Sequence, residues 1–105
     1  MRPDTRGIAE MTGTTRSSEG LDTRRRKLLF RSWHRGMREM DLILGHFADT
    51  RIDKLSDEEL DLYEVLLDIT DRELLSWIIG EAPVPTAVDT PVYRQIVASR
   101  DAITV

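Results

Sequence analysis

The stretch HRGMRE, His34 to Glu39, lies between two apolar runs, LLFRSW (Leu28–Trp33) and MDLILGHF (Met40–Phe47). Read as a junction, it ends one helix and starts another. Arg35 and Gly36 then close the first helix. Gly36 is expected in the left-handed conformation that glycine adopts without a Cβ penalty. Glu39 favours the start of the second helix and is expected to pair with Arg35 across the turn, a gain of about 0–1 kcal/mol. The junction reading accounts for Gly36 and Glu39. It does not account for Arg31, Arg35 and Arg38 crowding beside His34 and Met37. A glycine at a tight interhelix turn also leaves backbone that a partner can approach closely. Flanking arginine and glutamate can engage that partner through charge-assisted hydrogen bonds, and arginine is a frequent interface anchor.

Working outward, the pattern is helical. A first helix is expected over about Thr23–Arg35, with Asp22 or Thr23 as N-cap; Leu29 and Trp33 lie one turn apart, and Phe30 extends their apolar stripe. A second begins near Met37 and carries Met40, Ile43, Leu44 and Phe47 on one face. SDEE, Ser56–Glu59, reads as a capping box opening a third helix, with Leu62, Val65, Leu66 and Ile69 inward. TDRE, Thr70–Glu73, reads as a second box opening a fourth, with Leu74, Leu75, Trp77 and Ile78. Gly80 closes that helix, and Pro83 and Pro85 forbid its continuation. Thr90-Pro91 is an N-cap followed by proline at the first helical position, opening a fifth helix with Val92, Tyr93, Ile96 and Val97. Nothing alternates like a strand. The expected fold is all-α: a compact five-helix bundle over residues 22–101, with a disordered N-terminal tail (1–21) too poor in large apolar residues to order itself and a short C-terminal tail (102–105).

The 105 residues support one domain. There are no cysteines, so disulfides, thiolate zinc sites and cysteine nucleophiles are excluded. No apolar run approaches the roughly 18 residues of a membrane span. Arg2, Arg6 and Arg16 are interspersed with Asp4, Glu10 and Glu19, unlike a mitochondrial presequence, and the expected location is the cytoplasm. The net charge of −4 conceals a dipole. Residues 24–38 carry seven basic side chains and no acid, while residues 53–73 carry nine acids against Lys54 and Arg72. Such a field steers association.

Catalytic patterns are missing. His34 and His46 are the only histidines, and their spacing fits no metal motif. The serines sit in no nucleophile-elbow context. The carboxylates at Asp57, Glu58, Glu59 and Glu73 suit helix N-termini. No glycine-rich phosphate loop is present. A bundle this small leaves little interior for the roughly 300–1,000 Å³ of an enzyme pocket. RRRK, Arg24–Lys27, is the nucleic-acid candidate. No nucleic-acid-binding motif accompanies it, and the acidic balance disfavours phosphate. Its ordinary explanation is a solvated face.

RGMREMD, Arg35–Asp41, resembles the RGxxE-plus-Asp signature of the SdhE family, the flavinylation and assembly factors of succinate dehydrogenase. FRSWHRGMREMDLILGHFAD, then LSDEELDLYEVLLDITDRELLSWIIGEAPVP, is similar to that family's body in order and spacing, over roughly residues 24–100. The resemblance implies a compact five-helix fold and a protein that is not an enzyme. It implies as partner the flavoprotein subunit of succinate dehydrogenase, in some bacteria also that of fumarate reductase. It further implies promotion of covalent FAD attachment to a client histidine, with no cofactor of the chain's own, no nucleic acid, no membrane insertion and a monomer when free. The location implied is the cytoplasm, or the mitochondrial matrix in a eukaryote. Arg35, Gly36 and Glu39 would carry the RGxxE contact, Asp41 the trailing acidic position, with Arg31, His34 and Met37 beside them. The competing expectation is a small helical module that binds an acidic protein or RNA through its basic helix.

Overall fold

The computed structural model describes residues 19–101. The expected disordered tail lies outside the described residues except for 19–21, and residues 102–105 lie outside them as well. Five helices follow in order, and no strand occurs among the described residues: α1 Thr23–Trp33, α2 Arg38–Arg51, α3 Asp57–Leu67, α4 Asp71–Ile78 and α5 Pro91–Asp101. The all-α class with five helices is as expected. The helices divide into two compact units, one ending at Asp53 and the other beginning at Lys54.

In the first unit α1 and α2 form an antiparallel hairpin. The Arg25 side chain, near the start of α1, donates Nε–H to the Ile52 carbonyl just past the end of α2 (2.9 Å) and Nη1–H to Asp22 (2.8 Å). That guanidinium holds the Asp22 carboxyl below its usual range. From the last residue of α1, Trp33 reaches the second half of α2, donating its indole N–H to Asp49 (3.0 Å) and laying its ring against Gly45, one turn earlier. Met40, Ile43, Leu44 and Phe47 are buried, as their spacing requires, together with Ala48 and Ile52. Leu28 and Leu29 supply the buried face of α1, and the hydroxyl of buried Ser32 is satisfied by the Leu28 carbonyl (2.7 Å). Phe30 does not join this stripe; it is 57 % exposed.

The second unit contains α3, α4 and α5. The SDEE capping box is complete: Glu59 donates its N–H to Ser56 Oγ (3.1 Å), and Ser56 donates its N–H to Glu59 Oε1 (2.9 Å). The same carboxylate accepts Gln95 Nε2–H from α5 through Oε2 (3.3 Å), so one side chain caps α3 and ties it to α5. The TDRE box is only half made. Glu73 N–H reaches Thr70 Oγ1 (3.4 Å), but the Thr70 hydroxyl, not its backbone N–H, donates to the Glu73 carboxylate (3.2 Å). Thr90 caps α5 through Tyr93 N–H (3.3 Å). Gly80 ends α4 at φ +84°, and the next two N–H groups, of Glu81 and Ala82, converge on the Ser76 carbonyl.

The inward face of α3 differs from the expected one. Leu60, Tyr63, Leu66 and Leu67 are buried, Leu62 and Ile69 are half-buried, and Val65 is exposed. Apolar residues lie all around this helix, so two helical phases fit its periodicity. The phase adopted buries Tyr63, whose ring removes more apolar surface from water than a valine can. Leu74 and Ile78 are buried on α4 while Leu75 and Trp77 are only half-buried; Val92, Tyr93 and Ile96 are buried on α5.

Gly45 is the tightest point of the hairpin, because a Cβ there would fall within the Trp33 ring. Gly45→Ala should cost about 2 kcal/mol and lower the melting temperature by roughly 8–15 °C, read by thermal circular dichroism. An unchanged melting temperature would show that the indole is not packed there.

Candidate functional site

The connection between α1 and α2 is four residues, His34 to Met37. The expected first helix, to Arg35, stops two residues early, and His34 is the reason. In a continuing helix its N–H would bond the Phe30 carbonyl. Instead its ring Nδ1–H donates to that carbonyl (2.7 Å), and its backbone N–H falls back on Arg31 O (3.4 Å). The residue leaves the helix at φ −126°. The same bond folds the imidazole over Phe30, with ring centroids 3.7 Å apart and planes 17° from parallel.

Two residues on, Gly36 has φ +91°, and no described non-glycine residue has a positive φ. A Cβ at Gly36 would meet nothing within 4 Å, so the glycine is required by its backbone and not by crowding within the chain. An L residue there costs about 1–2 kcal/mol. Met37 caps α2 with extended backbone and no side-chain acceptor, while Glu39 and Asp41 place negative charge in the first turn.

The expected Arg35–Glu39 pair is not what closes the turn. Glu39 is exposed, and the carboxylate that reaches back is that of Asp41, whose Oδ1 accepts the Arg35 backbone N–H (2.7 Å). Asp41 has the geometry to make this bond because it lies in the first turn of α2, facing back over the connection. Its half-buried carboxylate therefore positions the turn. His34, Gly36, Arg38 and Glu39 are exposed, and Arg31, Arg35 and Met37 are half-buried. The result is an accessible surface, a glycine flanked by cations and one carboxylate, suited to contact.

The basic run resolves into different roles. Arg25 is committed to the hairpin, whereas Arg26 and Lys27 are exposed. On α1, Phe30 departs from its expected place on the buried apolar stripe. Its helical phase was the available signal, because Arg26, Lys27 and His34 lie three or four residues from it and share its face. No group of three or more His, Asp or Glu side chains among the described residues is placed to hold a metal. No described helix is long and apolar enough to cross a membrane.

Residues 26–100 match a family profile described as flavinator of succinate dehydrogenase. The chain is 38 % identical over 81 residues to a protein of Acetobacter pasteurianus named FAD assembly factor SdhE, covering 77 % of this chain and 74 % of that one. It is 40 % identical over 76 residues to the mitochondrial succinate dehydrogenase assembly factor 2 of Dictyostelium discoideum, covering 72 % of this chain and 54 % of that one. The corresponding protein of Aspergillus terreus is 38 % identical over 94 residues, covering 81 % of this chain and 32 % of its own length. The chain thus spans about three quarters of the bacterial relative and only a half to a third of the mitochondrial ones. No solved structure matches the chain.

Asp41→Ala should remove the acceptor of the Arg35 amide, at a cost of about 1–2 kcal/mol, and should speed exchange of that amide by roughly tenfold or more. Asp41→Asn, which keeps an acceptor oxygen, should retain most of the protection. Amide exchange by NMR distinguishes the two. Equal protection in wild type and Asp41→Ala would remove Asp41 from this role.

Proposed function

The chain belongs to the family of flavinators of succinate dehydrogenase, and from that premise we propose that it binds the isolated flavoprotein subunit and promotes covalent attachment of FAD to it. It is an assembly factor in that flavinylation and not itself an enzyme. The attachment chemistry resides in the client, which supplies both FAD and the histidine that receives it; the chain carries no cofactor of its own. What the chain supplies is differential binding: it stabilises a client conformation in which flavin and histidine are aligned. An interface of about 800 Å² on this side suffices for that.

The observation that carries this reading is Gly36. It is exposed and left-handed, and the space within 4 Å of where a Cβ would sit is clear, so its surface is open to a close-approaching partner. Arg35 and Glu39 flank it as hydrogen-bonding groups, and Asp41 holds the Arg35 backbone N–H beside it. The chain acts as a monomer where the flavoprotein matures, in the bacterial cytoplasm or the mitochondrial matrix. The fumarate reductase flavoprotein is a second client where that enzyme is present. Nucleic-acid binding by the basic helix is disfavoured because Arg25 is committed internally and exposed Glu39 would oppose phosphate.

The test is covalent flavin on the client. The flavoprotein subunit is produced with wild-type chain, with Gly36→Arg, or without either, then denatured and read by flavin fluorescence in the gel. Wild type should raise covalent flavin. Gly36→Arg should give no more than the chain-free level, a loss of roughly tenfold or more if contact is worth at least 1.4 kcal/mol. Equal flavin in all three samples would refute the role.

A further inference from the structure

We propose that the docking surface extends beyond the Gly36 turn onto the outer face of α1, where Phe30 and His34 form a preset aromatic anchor for an acidic, apolar-bearing segment of the flavoprotein client. The inference rests on the assembly-factor reading and adds a second region of contact to it.

Three observations support it. First, Phe30 is 57 % exposed although the neighbouring Leu28 and Leu29 are buried. It borders an open concavity of about 390 Å³ with Thr23, Arg26, Lys27 and Arg31. Second, the anchor is already ordered. The His34 ring is held by the Phe30 carbonyl and stacks on the Phe30 ring. Less side-chain freedom is then lost on binding, which favours affinity. Third, the face is continuous in the chain with the turn, since His34 both stacks on Phe30 and opens the connection to Gly36.

The charge defines the partner. From residue 24 to residue 38 no acid occurs, and the concavity is flanked by Arg26 and Lys27, both exposed. An aromatic ring ringed by cations matches a client surface with an apolar side chain between carboxylates. The ring supplies the desolvated anchor, and the cations supply steering and register. A phosphate backbone fits less well, because Glu39 lies in the first turn of α2, just past the connection, and Phe30 would meet a sugar-phosphate chain without an apolar counterpart.

The test uses the full chain and the flavoprotein subunit purified apart from its enzyme partners, with affinity measured across a salt series. The variants are Phe30→Ser, the double change Arg26→Glu and Lys27→Glu, and Gly36→Arg. Phe30 is exposed, so Phe30→Ser should stay folded at the assay temperature, losing only the stack with His34. It should bind at least roughly tenfold more weakly, with its salt dependence unchanged. The double change should weaken binding and flatten or reverse the salt dependence. If Phe30→Ser and the double change bind as wild type while Gly36→Arg does not, the α1 face is not part of the interface and the assembly-factor reading stands. If wild type itself does not bind, that reading fails, and this inference with it. A single-stranded RNA 20-mer is titrated in parallel. RNA binding as tight as client binding, lost in the same variants, would overturn the protein-client assignment of this face.

Discussion

The 2.7 Å hydrogen bond from the Arg35 amide to the Asp41 carboxylate holds the point on which the hairpin turns. Four residues must carry the chain from the end of α1 to the start of α2, and three local devices make that possible. The His34 ring takes the carbonyl that its own N–H would have taken, which ends α1. Gly36 adopts φ +91°, which reverses the chain direction. Asp41 ties the segment back onto the first turn of the helix that follows. Each device satisfies or redirects a backbone group that a helix terminus would otherwise leave to solvent. With the backbone tied down at both sides, the exposed Gly36 surface has a fixed shape. A fixed shape is what a partner needs for differential binding.

The hairpin is secured at its other contacts by packing and charge. Trp33 needs the missing Cβ of Gly45 and finds Asp49 for its indole N–H. Arg25 closes the open end by meeting the Ile52 carbonyl and Asp22 together. Trp33 and Arg25 are thus side chains that a charge or aromatic count alone would have assigned to binding. The remaining basic residues on the outer face of α1 stand beside an exposed phenyl ring, and the division between inner and outer roles follows the helical period. In the second unit Glu59 does two jobs with two oxygens, capping α3 and holding Gln95. Near the start of α5 the exposed Arg94 pairs with half-buried Asp89, and the guanidinium holds that carboxyl below its usual range. Its contribution is present above the unfolded carboxylate pKa and fades as pH falls through the lower folded value.

Much of this was legible in the residues. The helix order, the Ser56 box, the Thr90-Pro91 start, the Gly80 stop and the positive φ of Gly36 all follow from short-range chemistry that a few neighbouring residues determine. The buried face of α2 follows from a clean period. What was not legible depends on choices between near-equal alternatives. α3 is apolar on several sides, and the burial of Tyr63 over Val65 is decided by packing. Glu39 and Asp41 were both placed to reach back over the turn, and only geometry assigns the bond to Asp41. Phe30 reads as core because it follows two leucines, yet one residue is a rotation of about 100° on a helix. Gly45 gave no backbone signal, since its requirement comes from the indole of Trp33 on the preceding helix. The family resemblance pointed to this turn as the candidate contact; the side chains that shape it had to be seen in place.

In the proposed role Gly36 serves a partner as well as its own backbone. Gly36→Asn separates the two demands, because asparagine enters the left-handed region with little strain yet adds a side chain to the surface. Melting of the Gly36→Asn chain and its affinity for the flavoprotein subunit should be measured side by side. The expected result is a stability within about 1 kcal/mol of wild type and an affinity lower by at least roughly tenfold. Wild-type affinity in a folded Gly36→Asn chain would contradict the claim and leave Gly36 as a turn residue alone.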